Sequence, residues 1–100
     1  LNKKVFKKMK RDSFLINTSR GDLIDEKDLF DYLKKGYFSG VALDVFNNEP
    51  YNGNLIQFKR CILTPHIGSH TIDCRNRMER KATKDLINFF KNKSIINKVN

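Results

Sequence analysis

Arg20, Glu49 and His66 are the three residues whose side chains could act together on a small anionic molecule. The guanidinium of Arg20 can hold a carboxylate through two parallel hydrogen bonds. The imidazole of His66 can exchange a proton near neutral pH, and a carboxylate beside one ring nitrogen fixes its tautomer and favours its protonated form. A protonated imidazole can supply the proton that a carbonyl oxygen gains when a hydride reaches its carbon. These residue types therefore indicate an anion clamp, a proton donor and its orienting partner.

Each of the three residues lies a few positions after an apolar run that predicts a β-strand. A helical pattern separates the first run from the second, and a polar loop over Asn47–Asn54 separates the second from the third. We therefore predict parallel strands that are apolar on both faces and buried between layers of helices. The carboxyl ends of neighbouring parallel strands border one crevice, where ligands bind. We therefore expect the three side chains to meet at this edge of the sheet. The predicted strands are Ser13–Thr18, Val41–Phe46 and Cys61–Thr64.

The predicted helices lie between and beyond these strands. Asp25 is expected to cap the central helix, with Asp28 in the first turn, where negative charge suits the helix dipole. Leu29 and Leu33 form the buried face of this helix, and Gly36 ends it by adopting a left-handed conformation. Three strands are too few for a well-covered parallel sheet, so the pattern predicts half of a larger α/β domain. The other predicted segments are a short helix over Lys3–Met9, a helical turn over Leu55–Phe58, a long helix from Ile72 or Asp73 to Phe90 or Lys91, and an extended tail over Lys91–Asn100.

One hundred residues with a net charge of +9 restrict the kinds of protein that this chain can be. The Lys and Arg residues alternate with apolar residues at helical spacing, which predicts the solvated faces of two amphipathic helices rather than a nucleic-acid surface. No apolar run approaches the roughly 18 residues of a membrane span, and no signal peptide is visible. Cys61 and Cys74 lack metal-ligand spacing, even with His70, so we expect free thiols, no metal and a cytoplasmic location. Because the chain starts at Leu1 rather than Met, we expect the true start to lie upstream.

Each candidate residue also has a plainer alternative role. Arg20 could be a surface side chain that pairs with Asp22 or Asp25. Asp44 interrupts an apolar strand, where an ionised carboxylate is costly without partners, and it could simply cap the amides of a neighbouring loop. Glu49 could be a loop acid that faces solvent. These alternatives stay open at the level of the residues alone.

Three ordered motifs of this sequence resemble the D-isomer-specific 2-hydroxyacid dehydrogenases. They are Phe14-Leu15-Ile16-Asn17-Thr18-Ser19-Arg20-Gly21, then Gly40-Val41-Ala42-Leu43-Asp44-Val45-Phe46 leading to Glu49-Pro50, and Leu63-Thr64-Pro65-His66-Ile67-Gly68. The resemblance spans nearly the whole chain. It implies an α/β fold, the C-terminal half of a Rossmann-type parallel sheet flanked by helices, with residues 1–100 forming part of an NAD(P)-binding domain. The five glycines form no GxGxxG motif, so the glycine-rich half of such a domain, like the family's substrate domain, lies outside this sequence.

The resemblance also implies roles for individual residues. In that family the matching arginine binds the substrate carboxylate, which implies this role for Arg20. The matching histidine is the general acid and base, hence His66, and the glutamate before proline supports its protonation, hence Glu49. The matching aspartate lies beside the nicotinamide amide, hence Asp44. The positions that resemble cofactor contacts are Thr18, Ser19, Arg20, Asp44, His66 and Gly68.

The function that the resemblance implies is hydride transfer between NAD(H) and a D-2-hydroxy acid or 2-keto acid, with NADP not excluded. The full-length protein is expected to be a cytoplasmic homodimer, and the 100-residue fragment alone is expected to be inactive. Two alternatives remain open. Some relatives of this fold are non-catalytic corepressors or scaffolds, and the chain could also be an inactive, truncated gene product.

Overall fold

The computed structural model of the protein describes residues 1–95. The chain divides into two compact units, Leu1–Gly68 and Ser69–Asn100. The first unit contains all three strands and every residue that the sequence predicts for the site. In the second unit, the residues described (69–95) contain one long helix. The chemistry of the predicted site therefore depends on the first unit.

The observed elements follow the predicted order, with small differences at their ends. The first helix ends at Phe6 rather than Met9, and the second strand ends at Leu43 rather than Phe46. The short 3-10 helix that follows Arg20 was not predicted. In chain order the elements are α1 (Lys3–Phe6), β1 (Phe14–Asn17), a 3-10 helix (Gly21–Leu23), α2 (Glu26–Lys34), β2 (Gly40–Leu43), a second 3-10 helix (Asn54–Gln57), β3 (Cys61–Leu63) and α3 (Ile72–Phe90).

The three strands form one parallel sheet in the order β1-β2-β3. Asn17 at the end of β1 is paired with Leu43 at the end of β2, which is paired with Leu63 at the end of β3. All three strands therefore finish in register at one edge of the sheet. The predicted α/β class and the parallel arrangement are confirmed, and the loops that follow the strands leave from the same edge.

Helix α2 begins and ends as its sequence predicts. The Asp25 carboxylate accepts a hydrogen bond of 2.9 Å from the backbone N–H of Asp28, which satisfies one of the free amides of the first turn. Leu29 and Leu33 are fully buried. After the helix, Gly36 has a φ of +63°, a conformation that side chains with a Cβ rarely adopt. Helix α2 thus forms the crossover connection between the parallel strands β1 and β2.

The sheet has one packed face and one open face. Leu15, Val41 and Leu43 belong to the buried cluster that also contains residues of α1 and α2. On the opposite face, Ile16, Ala42 and Ile62 form one cross-strand row, and both isoleucine side chains are 69% exposed. The prediction that both faces are buried is therefore wrong for residues 1–95. Successive side chains of a strand point to opposite faces, and within the first unit the helices α1 and α2 pack against one face.

Helix α3 spans the predicted residues, and the Thr71 hydroxyl caps it by accepting from the amide of Cys74 at 3.2 Å. Its apolar residues, including Met78 and Phe90, are exposed rather than buried. No helix within residues 1–95 is long and apolar enough to cross a membrane. The extended tail that the sequence predicts for Lys91–Asn100 falls partly outside the described residues, which end at Ile95.

Candidate active site

Glu49 and His66 form a direct pair at the carboxyl edge of the sheet. Oε2 of Glu49 lies 2.8 Å from Nδ1 of His66. Oε1 of the same carboxylate accepts the backbone N–H of Phe46 at 3.0 Å, so the carboxylate is anchored at both oxygens. Within residues 1–95, Nε2 of His66 has no hydrogen-bond partner, and the side chain is about half exposed. The contact expected between these two residues is present, and it leaves one ring nitrogen accessible to a ligand.

The hydrogen bonds of this pair define which ring nitrogen of His66 carries the proton. The hydrogen bonds from His66 and from the amide of Phe46 hold the pKa of Glu49 below its usual range. Glu49 is therefore an acceptor near neutral pH, so Nδ1 of His66 must carry a proton in order to donate to it. The ring nitrogen that gains or loses a proton is then Nε2. This arrangement suits proton exchange with a ligand at the open side of the ring.

Asp44 holds the loop that carries His66. Its carboxylate accepts from the Thr64 hydroxyl at 2.5 Å and from the backbone amides of Ile67 and Gly68 at 2.9 and 2.8 Å. The residue is 6% exposed, and its first partner, Thr64, contributes most to lowering its pKa, followed by the amide of Ile67. A side chain added at Gly68 would place its Cβ 2.9 Å from Oδ2 of Asp44. Asp44 thus caps the amides of a neighbouring loop, as one of the sequence-level alternatives proposed.

The backbone of His66 depends on this support. His66 has a φ of +54°, in the left-handed region that costs a residue with a Cβ about 1–2 kcal/mol. The two amides that follow it are the ones that donate to Asp44. These bonds hold the loop in the conformation that turns the imidazole toward Glu49. The end of β2 therefore positions a residue that follows β3.

Arg20 lies on the loop after β1, with its side chain exposed. One guanidinium nitrogen, Nη1, donates to the carbonyl of Ser19 at 2.7 Å. Within residues 1–95 it forms no ion pair with Asp22 or Asp25, and the Asp25 carboxylate is engaged as the cap of α2. The guanidinium therefore keeps most of its five N–H donors for a ligand.

Asn17 is a site residue to which the sequence analysis gave no role. Its Nδ2 donates to the carbonyl of Arg20 at 2.8 Å, and its Oδ1 accepts the amide of Ser19 at 3.1 Å. The available signal was an amide side chain at the last position of an apolar strand, immediately before a turn. Asn17 closes the turn that presents Arg20.

Gly21 brings the first loop against the second. A Cβ at this position would lie 2.1 Å from the carbonyl carbon of Phe46 and 2.6 Å from the amide nitrogen of Asn47. The turn carrying Arg20 therefore touches the backbone that leads to Glu49. The structure joins Glu49 directly to His66 and places Arg20 on the adjoining loop, without a direct contact to either residue in the described part of the chain.

The residues present fit one end of a dinucleotide cofactor. Thr18 and Ser19 are exposed at the open carboxyl edge, where a ring or ribose could approach them. The chain offers no GxGxxG turn to hold the phosphates. Among residues 1–95, no three His, Cys, Asp or Glu side chains are grouped so that they could hold a metal ion. The exposed residues at this edge are therefore candidates for contacts with one end of such a cofactor.

The two site carboxylates make a testable contribution to stability at low pH. Both Asp44 and Glu49 have a lowered pKa in the folded chain, so each stabilises the fold above its unfolded pKa, about 3.9 for Asp and 4.3 for Glu. This stabilisation is lost as the pH falls from about 4 through the folded values. Urea unfolding between neutral pH and about pH 3 should show a declining midpoint. Asp44→Asn should show a weaker decline, and an identical decline in that variant would contradict the assignment.

Comparisons with known proteins find relatives that match part or all of this chain in sequence or in fold. The model of the NAD binding domain of D-isomer specific 2-hydroxyacid dehydrogenases matches residues 1–68. A curated glyoxylate reductase of Thermococcus litoralis is 44% identical over 101 residues, which make up 100% of this chain and 30% of that protein. The chain thus spans less than a third of the length of this relative.

Two solved structures share the fold. A glyoxylate reductase from Paecilomyes thermophila is similar with a TM-score of 0.80 and 38% identity, over 88% of this chain and 27% of that one. A D-isomer specific 2-hydroxyacid dehydrogenase from Xanthobacter autotrophicus Py2, solved in complex with NADPH and MES, gives a TM-score of 0.85 at 25% identity, over 99% of this chain and 41% of that one. The parallel sheet described above is therefore the Rossmann-like sheet of these proteins.

Proposed function

Since this chain belongs to the D-isomer specific 2-hydroxyacid dehydrogenase family, we propose that the whole protein transfers a hydride between a nicotinamide cofactor and a small 2-keto acid or D-2-hydroxy acid. The observation that carries the proposal is the contact of 2.8 Å between Nδ1 of His66 and Oε2 of Glu49, which leaves Nε2 open at the carboxyl edge of the sheet. A histidine held in this way is a general acid for a carbonyl oxygen and a general base for a hydroxyl group.

Each candidate side chain has a separate role toward the substrate in this proposal. Arg20 binds the carboxylate of the acid through its free guanidinium donors, which fixes the orientation of C2. In reduction, Nε2 of His66 gives its proton to the C2 oxygen, and in oxidation it takes the proton back from the hydroxyl. Glu49 stabilises the charged imidazole between these steps. The nicotinamide, when bound, supplies or accepts the hydride at C2.

The cofactor and substrate classes follow from the same family. Thr18, Ser19 and Gly68 are proposed to line the nicotinamide end of the cofactor together with Asp44, Arg20 and His66. The family description names NAD, and the relative from Xanthobacter autotrophicus Py2 contains NADPH, so either cofactor is compatible with the proposal. Glyoxylate, the substrate named for the relative from Thermococcus litoralis, is the first 2-keto acid to assay.

The proposal extends to the assembly and location of the whole protein. A homodimer that acts on a small acid is what the family resemblance implies. A cytoplasmic location, without binding to nucleic acid or membranes, is proposed from the free thiols, the charge pattern and the short apolar runs of the sequence. Sedimentation of the purified whole protein and fractionation of the source cells would measure both properties. A monomer would remove the dimer from the proposal and leave the hydride transfer unaffected.

Arg20→Ala in the whole protein tests the assignment of the carboxylate site. We expect the KM for the 2-keto acid to rise by about 10²-fold, since a bidentate charged contact is lost. The KM for the cofactor should rise much less, because Arg20 is one of six residues proposed to line the cofactor. Arg20→Lys keeps the positive charge but loses the two parallel hydrogen bonds of the guanidinium. Its KM for the 2-keto acid should lie between those of the wild type and Arg20→Ala. Steady-state kinetics with glyoxylate and NADH or NADPH measures these values. An unchanged KM would remove Arg20 from the substrate site, and a whole protein that reduces no 2-keto acid would contradict the proposed function.

A further inference from the structure

Two polar side chains stand out by their burial. In residues 1–95 the buried polar or charged residues are Asn17, which is 8% exposed, and Asp44, which is 6% exposed. Both lie where a strand ends, Asn17 as the last residue of β1 and Asp44 directly after β2. Burying an amide or a carboxylate is costly unless its hydrogen bonds are replaced, so each is expected to have specific partners. The partners of Asn17 are backbone groups of the loop that carries Arg20. The partners of Asp44 are the Thr64 hydroxyl and two backbone amides of the loop that carries His66.

The Asn17 amide satisfies the backbone on both sides of the turn. Its carbonyl oxygen accepts from the amide of Ser19, two residues ahead, and its Nδ2 donates to the carbonyl of Arg20, three residues ahead. The first contact is an Asx turn, and the second closes a ring around residues 17–20. Either bond alone would leave the turn able to open on the other side.

The turn is also connected to the rest of the site through Asn17. The backbone carbonyl of Asn17 accepts the backbone N–H of Asp44 at 3.0 Å. The residue that holds the Arg20 loop is therefore hydrogen-bonded directly to the residue that holds the His66 loop. Arg20 itself is extended, with φ −145° and ψ +145°, and exposed. An exposed, extended residue has little packing of its own to fix its direction. The direction of the Arg20 side chain therefore depends on the backbone turn that Asn17 holds in place.

We infer that Asn17 is a positioning residue, which holds the Ser19–Arg20 turn so that the Arg20 guanidinium faces the carboxylate of an anionic substrate. This inference rests on the proposed function for the identity of the ligand, whereas the bracing of the turn stands on the two hydrogen bonds. Asn17 does not contact the substrate. Its loss acts on binding of the acid through Arg20, and the proton chemistry of His66 is untouched.

Two substitutions separate the two bonds. Asn17→Ala removes both, whereas Asn17→Asp keeps an oxygen for the amide of Ser19 and replaces the donor to Arg20 with an acceptor that repels its carbonyl. In the whole protein, we expect both variants to raise the KM for glyoxylate by about tenfold to a hundredfold, as misplacement of a substrate-holding group does. The kcat at saturating acid should change much less. The KM for the cofactor should rise by a smaller factor than the KM for the acid, because Ser19 and Arg20 are two of six residues proposed to line the cofactor. Asn52→Ala, at an exposed amide, is the control and should leave all three values unchanged.

Hydrogen exchange, read residue by residue in the same whole-protein variants, gives a measurement that does not need activity. The Ser19 amide should exchange faster in Asn17→Ala and stay protected in Asn17→Asp. An unchanged KM in both variants of an active protein would overturn the inference, as would unchanged exchange at Ser19 in Asn17→Ala. If the wild type reduces no 2-keto acid, the proposed function fails by itself, and the exchange measurement alone decides whether Asn17 holds the turn. If Asn17→Ala does not fold, the KM of Asn17→Asp decides.

Discussion

Replacing His66 with glutamine in the whole protein is expected to lower kcat for a 2-keto acid by about 10²–10⁴-fold, the range typical of losing a general acid. Glutamine can still form a hydrogen bond to Glu49, but its amide cannot give a proton to the C2 oxygen. The affinity for NADH should stay close to that of the wild type, because His66 is one of six residues proposed to line the cofactor and glutamine keeps a hydrogen-bonding group at this position. Single-turnover reduction of glyoxylate together with NADH titration measures both quantities.

His70→Gln is the matched control for this experiment. It makes the same chemical change four residues later, at an exposed histidine to which the site geometry gives no role. We expect its kcat to equal that of the wild type. The kcat of Glu49→Gln should lie between those of His66→Gln and His70→Gln. The neutral amide can still accept the hydrogen bond from the amide of Phe46, whereas the charge that stabilises the imidazolium is lost. If turnover survives His66→Gln, the proton must come from another group and the role of His66 is wrong.

Much of the fold could be predicted from the sequence because its signals are local. An apolar run bounded by polar turns predicts a strand wherever it lies in the chain, and Asp25 caps α2 through an amide only three residues away. Gly36 ends that helix in the left-handed conformation that its residue type favours. The open face of the sheet was predicted as buried, because an apolar row such as Ile16, Ala42 and Ile62 shows that a face needs covering and does not show whether this chain covers it.

The contact between Glu49 and His66 could be predicted from the sequence, whereas the residues that support the candidate site could not. Glu49 and His66 could be expected to meet, because both follow parallel strands whose ends share an edge. Asp44 could be suspected of capping some loop, but its three partners lie 20 to 24 residues away, at distances that only the sheet register sets. Asn17 acts within its own turn, yet the same side chain in a turn of another shape would face solvent. Supporting residues of this kind are found from the hydrogen bonds that they make.

Gly21→Ala should have the largest effect on stability of any single methyl group added to this site. The new Cβ would lie 2.1 Å from the carbonyl carbon and 2.2 Å from the carbonyl oxygen of Phe46, distances that no real contact tolerates. Since the opposing atoms belong to the backbone, no side-chain rotation can relieve the overlap, and one loop must move. We expect the free energy of unfolding of the chain to fall by about 3 kcal/mol or more, at the upper end of what overpacking costs. Urea unfolding followed by circular dichroism measures the difference.

Gly36→Ala separates this overlap from the loss of glycine as such. Gly36 needs its positive φ, so alanine there costs about 1–2 kcal/mol of conformational energy, but the nearest atom to a new Cβ is a flexible Arg60 nitrogen at 3.6 Å. Gly21→Ala should therefore be clearly the more destabilising of the two variants. It should also raise the KM for the acid in the whole protein, because the loop that moves carries Arg20 or leads to Glu49. If Gly21→Ala and Gly36→Ala lower the free energy of unfolding by the same amount, the close approach between the first and second loops does not stabilise the site. Arg20 must then be positioned by the turn at Asn17 alone.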